Sequence, residues 1–135
     1  MSGVLLDTHA LVWLSDADPR LGPRSLSLAD DALNGEELLV SAISFWEVAL
    51  LAARGRVRLG QPVASWRRGL MGLGLIEVPL SGIVGILATE LEGLPADPAD
   101  RMITATAMEE GATLVTADAN LLAWTGHLTR HDART

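Results

Sequence analysis

A chain of 135 residues with 49% hydrophobic content fits one domain built around one core, and its net charge of -7 is too small against that content to keep it unfolded. Cysteine is absent and all ten cations are arginine, which excludes disulfides, thiolate metal sites, lysine-dependent phosphate loops and Schiff-base chemistry. Four Trp, one Phe and no Tyr leave Leu, Val, Ile and Ala to build the core.

Val4-Leu5-Leu6 reads as a short buried strand, and Asp7-Thr8 opens an amphipathic segment through Leu14. Residues 15–24, with two Pro, a Gly and repeated Asp, read as a loop, followed by a helix from about Arg24 to Leu33. Leu38-Leu39-Val40 is a second strand, and Ser41 to Ser44 turn into an apolar helix ending near Gly55. Gln61-Pro62 starts a helix through about Met71, Leu75 to Val78 is a third strand, and a helix spans about Ser81 to Leu91. Asp97-Pro98 opens a helix that runs to Glu110 and stops at Gly111. Thr113 to Thr116 is a fourth strand, and Asp118 caps a last helix through Trp124. Strands alternate with helices, and every strand is apolar on both faces, the pattern of an α/β fold with a parallel sheet covered on both sides.

The longest stretch free of acids and arginines, Val78 to Thr89, has 12 residues, against the ~20 that a spanning helix needs. The start of the chain carries no basic region. The expectation is a soluble, cytoplasmic protein.

In open α/β sheets, ligands bind beyond the carboxyl ends of the strands. Asp7 follows the first strand directly, Asp118 follows the fourth by two residues, Asp100 lies in the first turn of the helix before it, and Glu47 lies early in the helix after the second strand. Asp7 and Asp118 read equally well as helix caps, and Asp97 reads better still as one, with Pro98 behind it. Glu47 resists that account. Its helical face carries Ile43, Leu50 and Leu51, and the nearest arginine on that face, Arg54, is seven residues away. If the four acids converge, their mutual repulsion calls for a cation, and a hard divalent ion such as Mg²⁺ or Mn²⁺ suits oxygen ligands. The matching chemistry is metal-assisted phosphodiester hydrolysis.

The segments Leu5-Leu6-Asp7-Thr8-His9-Ala10-Leu11-Val12-Trp13, Ser44-Phe45-Trp46-Glu47-Val48-Ala49, Asp97-Pro98-Ala99-Asp100-Arg101-Met102-Ile103 and Leu114-Val115-Thr116-Ala117-Asp118 resemble the motifs of the PIN-domain family, most of all its VapC-type toxins from type II toxin–antitoxin modules. The resemblance implies a single PIN-like domain over residues 1–135, a three-layer α/β/α sandwich whose short parallel sheet has four strands, with a fifth left open. It implies a Mg²⁺- or Mn²⁺-dependent endoribonuclease. It also implies a homodimer held inactive by a cognate VapB-type antitoxin. By motif, Asp7 and Asp100 would be the principal metal ligands, Glu47 would position the metal or its water, Asp118 would be the more variable fourth acid, and Thr116 would support the acids from behind. Leu94-Pro95-Ala96 leads straight into Asp97, where many relatives carry a longer histidine-containing stretch, and the tail from Gly126 lacks the apolar run of a last strand.

No acid falls between Glu47 and Glu77, whereas Arg54, Arg56, Arg58, Arg67 and Arg68 do. That segment reads either as an RNA-guiding rim or as a solvated face whose arginines pair with acids elsewhere. Arg101 reads as a partner for an acid near the pocket or as a structural bridge. Trp13, Trp46, Trp66 and Trp124 are expected in the core or at a dimer interface. His9, His127 and His131 have no metal spacing, and His9 is expected to point along the first helix. The competing function is a non-catalytic PIN-like module that binds RNA or protein.

Overall fold

The computed structural model describes residues 3–135. Five strands, β1 (Val4–Leu6), β2 (Leu38–Ser41), β3 (Ile76–Val78), β4 (Thr113–Thr116) and β5 (Arg130–Asp132), form one sheet in the order β3-β2-β1-β4-β5. Every pairing is parallel; Leu5 stands opposite Leu39 on one side and Leu114 on the other. The helices are α1 (Thr8–Ser15), α2 (Pro23–Asn34), α3 (Ala42–Ala53), α4 (Val63–Leu73), α5 (Gly82–Thr89), α6 (Pro98–Glu110) and α7 (Ala119–Ala123).

Successive strand side chains point to opposite faces, and the core divides accordingly. Val4, Leu6, Leu38 and Val40 pack with Leu11, Trp13, Ala29, Phe45 and Trp66 from α1 to α4. On the other face Leu5 and Leu114 pack with Val84, Ile103, Leu121 and Trp124. This is the expected three-layer α/β/α sandwich. Burying each such leucine contributes about 1.5–3 kcal/mol.

The fifth strand, left open by the sequence, is present, although Arg130-His131-Asp132 contains no apolar residue. One expectation needs correction: β3 is not apolar on both faces, since Ile76 is exposed and Glu77 sits at its centre. Both are edge strands, with one neighbour each and less surface to bury. β5 is fastened by other means. The Arg130 guanidinium donates to the carbonyls of Leu121, Trp124, Gly126 and Leu128. Gly22 N–H donates to Ala133 O and Arg24 N–H to Thr135 O. A Cβ on Gly22 would lie 2.3 Å from the Thr135 carbonyl carbon, so only glycine admits the tail here. Trp13, Trp66 and Trp124 are buried, whereas Trp46 is 55% exposed and outside the core.

Candidate active site

Leaving β1, the chain proceeds to β2 and β3 on one side and later returns to β4 and β5 on the other. The order therefore reverses between β1 and β4, and a crevice opens there at the carboxyl ends. Asp7 follows β1, and its N–H donates to Val115 O of β4 at 3.0 Å. The carboxylate is 7% exposed. Its Oδ1 accepts from Ala10 N–H at 2.9 Å, capping α1, and its Oδ2 accepts the Thr116 hydroxyl at 2.5 Å. Thr116 Oγ1 in turn accepts Asp118 N–H at 3.0 Å. Asp118 caps α7 through Oδ1, which accepts from Asn120 N–H and Leu121 N–H. Capping and facing the cleft are thus properties of the same side chains.

Glu47 is half-buried on α3, and Thr8 Oγ1 donates to its Oε1 at 2.5 Å while lying 3.0 Å from Ser44 Oγ. Asp97 caps α6 by accepting Asp100 N–H at 3.0 Å, which sets Asp100 in the first turn. Asp7, Glu47, Asp100 and Asp118 come together as lining of one cleft of about 460 Å³, and Asp97 joins them.

The electrostatics carry the mark of this crowding. Burial raises Asp7 above the ordinary carboxylate range, against the hydrogen bonds from Thr116 and Ala10 that pull it down. Burial also raises Glu47, opposed by the Thr8 hydrogen bond. Asp100 is pushed up to about 7, first by burial and then by the charges of Asp97, Asp118, Glu47 and Asp7. A cleft of oxygen donors that resist ionising together has the chemistry of a hard-cation site. Among the described residues no three His, Asp or Glu side chains form a ready-made metal cage.

Among the arginines of the expected rim, Arg67 donates to both oxygens of Glu77 and lies over Phe45, and Arg68 donates to Ser65, while Arg54, Arg56 and Arg58 are exposed. Arg101 proves structural: it donates to the carbonyls of Ala88, Leu91, Leu94 and Pro95 and ties the segment before α6 to that helix. His9, to which the sequence assigned no chemistry, is among the residues that line the cleft. Three further lining residues lay outside the sequence reading: Thr8, which holds Glu47, and Arg20 and Arg134. Thr8 was detectable as the hydroxyl beside Asp7, but Arg20 and Arg134, in a loop and a polar tail, carry no sequence signal.

The family profile described as the PIN domain matches residues 4–124. The chain belongs to the PIN-domain family. This PIN domain is 40% identical over 125 residues to Ribonuclease VapC22 of Mycobacterium tuberculosis (strain ATCC 25618 / H37Rv), covering 90% of this chain and 91% of the relative. Its kinship is thus to the VapC-type toxins. Its fold is similar to a chain of VapBC2 from Rickettsia felis bound to a DNA fragment from its promoter, with a TM-score of 0.70, 18% identity and coverage of 95% and 96% of the two chains. A toxin–antitoxin complex from Klebsiella pneumoniae gives a TM-score of 0.62 at 21% identity, with coverage of 94% and 96%. No helix among the described residues of this PIN domain is long and apolar enough to cross a membrane.

Proposed function

We propose that this PIN domain is a Mg²⁺- or Mn²⁺-dependent endoribonuclease, the toxin of a toxin–antitoxin pair. One observation carries the reading: four carboxylates from four separate elements line one cleft at the point where the strand order reverses, where burial first and the neighbouring acids second push Asp100 up to about 7. Its relative's name, Ribonuclease VapC22, supports the substrate class.

Asp7 and Asp100 would hold the ion, and Asp118 would add its charge from the far side of Thr116. The bound ion would supply Lewis acidity toward a phosphodiester and a water. The protein's own part is orientation. Thr116 fixes the Asp7 carboxylate through Oδ2, and Thr8 holds Glu47 by Oε1, leaving the second Glu47 oxygen to orient an attacking water and accept its proton.

For partners, the reading includes a VapB-type antitoxin and a second copy of the chain. An apolar groove of about 470 Å³ between α1, α2 and α4, lined by Leu11, Leu33, Trp66 and Leu70, offers a seat for an antitoxin segment. On α5, Ile83 and Ile86 are each 62% exposed, the kind of surface that a homodimer covers. Arg54, Arg56 and Arg58 remain the rim residues able to meet RNA, with Arg67 bound to Glu77 and Arg68, exposed as well, bound to Ser65.

The test is cleavage of a mixed RNA pool by the purified chain with Mn²⁺, with excess chelator, and by Asp100→Asn. Fragments are expected with Mn²⁺ alone, and the variant should produce none while melting at no lower temperature. RNA binding without cleavage under any metal would replace this reading with that of a non-catalytic binding module.

A further inference from the structure

The acidic cleft has a basic edge. Arg20 and Arg134, 114 positions apart in the sequence, both line it, and both lie against one buried indole: their Cζ atoms are 5.0 and 5.6 Å from the centre of the Trp13 ring. The cation–π attraction of each arginine to the indole, about 0.5–1 kcal/mol at an exposed site, helps to hold both guanidinium groups at the cleft.

Neither arginine neutralises the cleft. The ion pair that Arg20 makes is with Asp18, outside the cleft, and Arg134 Nη1 donates to Ala117 O at 2.9 Å. Among the described residues no ion pair joins either one to Asp7, Glu47, Asp97, Asp100 or Asp118. Arg20 Nε and Nη2 engage both oxygens of Asp18, which orients the guanidinium and leaves Nη1 without a partner among the described residues; exposed pairs of this kind contribute little stability in water. Arg134 is placed by the tail that Gly22 admits: Ser25 Oγ donates to Asp132 O, and Gly22 and Arg24 bind Ala133 and Thr135 through their backbones. These contacts hold a guanidinium at the cleft edge with N–H groups to spare.

The cleft thus keeps its anions and its cations apart, acids within and arginines at the edge. A second groove shares Glu47 and Asp97 with the cleft and continues to Trp46 and Arg54. A single strand laid across the acids would have positive charge beside it at Arg20 and Arg134 and, along that groove, at Arg54.

We propose that Arg20 and Arg134, held on Trp13, form a subsite for a backbone phosphate of the RNA beside the one that is cut. The proposal rests on the ribonuclease reading. It names a contact to phosphate, so it predicts weaker binding of every sequence and no change in which sequence is preferred.

The experiment measures fluorescence anisotropy of a fluorescein-labelled single-stranded RNA at several salt concentrations, in the Asp100→Asn background so that the RNA stays whole. Arg20→Gln and Arg134→Gln together are expected to lower the slope of log affinity against log salt by about 0.7, the contribution of one phosphate contact on a single strand, and each alone by part of that. Arg20→Lys and Arg134→Lys should restore the slope, which a loss of packing on Trp13 would not allow. Binding with a slope indifferent to both Gln variants overturns the subsite and leaves the nuclease reading standing. If the chain with all its arginines binds no RNA at any salt and the wild type cuts none, the nuclease reading falls and takes the subsite with it.

Discussion

Thr116 uses one hydroxyl twice, donating to Asp7 Oδ2 and accepting Asp118 N–H, so a fully buried side chain couples the acid after β1 to the acid after β4. Thr116→Val keeps the shape and removes both bonds. Partners that orient a ligand carboxylate typically matter by about 10–100-fold in metal affinity or activity. The variant should therefore need about 10–100-fold more Mn²⁺ for half-maximal RNA cleavage, and Thr116→Ser should need little more than wild type. A Mn²⁺ titration of cleavage by the three proteins checks this; equal half-points would show that Asp7 orients itself. The same residues show what a sequence can reveal. A glutamate among apolar neighbours conflicts with its own helix face, and that conflict marked Glu47. Asp7 and Asp118 looked ordinary as caps because they are caps, and only the ends of two adjacent strands make them something more. Arg20 and Arg134 conflicted with nothing local, so no pattern marked them.

At the scale of elements, hydropathy reports burial and little else. β1, β2 and β4 lie inside the sheet and were legible as apolar runs, with β4 recovered from Thr113 to Thr116. β5 was not, because Arg130-His131-Asp132 is held by the four carbonyls that Arg130 meets and by the contacts around Gly22, none of which leaves an apolar trace. Arg101 does similar work on the other face. Its guanidinium collects carbonyls from Ala88 at the end of α5 and from Leu91, Leu94 and Pro95 in the stretch that carries the chain on to Asp97 and Asp100. Removing it leaves several carbonyls without a donor, and each buried polar group left unpaired costs about 1–3 kcal/mol. Arg101→Met should lose about that much stability in urea unfolding and make the 89–97 segment more sensitive to limited proteolysis. Wild-type stability in Arg101→Met would mean that water serves those carbonyls as well.

For the molecule as a whole, the acidic cleft sets how stability responds to pH. The Asp100 carboxyl rises from an ordinary 3.8 to about 7 in the folded chain. Across that window the native state holds a proton that the unfolded state has released. Where the native state binds more protons, stability falls as pH rises. Asp7 and Glu47 are raised as well and act in the same direction. Asp18 is lowered by Arg20, chiefly through their hydrogen bond; its contribution is lost only as pH falls below the ordinary carboxylate range, outside this window. In the presence of chelator, the melting temperature should therefore be higher at pH 5 than at pH 7.5, and Asp100→Asn should flatten much of that slope. A divalent ion binding the native state alone adds about 2.7 kcal/mol at a hundred times its Kd. Because protons compete for the same oxygens, Mn²⁺ should raise the melting temperature more at pH 7.5 than at pH 5. Thermal scans of wild type and Asp100→Asn at the two pH values, with chelator and with Mn²⁺, separate the contributions. Stability that rises from pH 5 to pH 7.5 without metal would mean that the cleft acids ionise freely, and the case for a cation among them would lose its electrostatic ground.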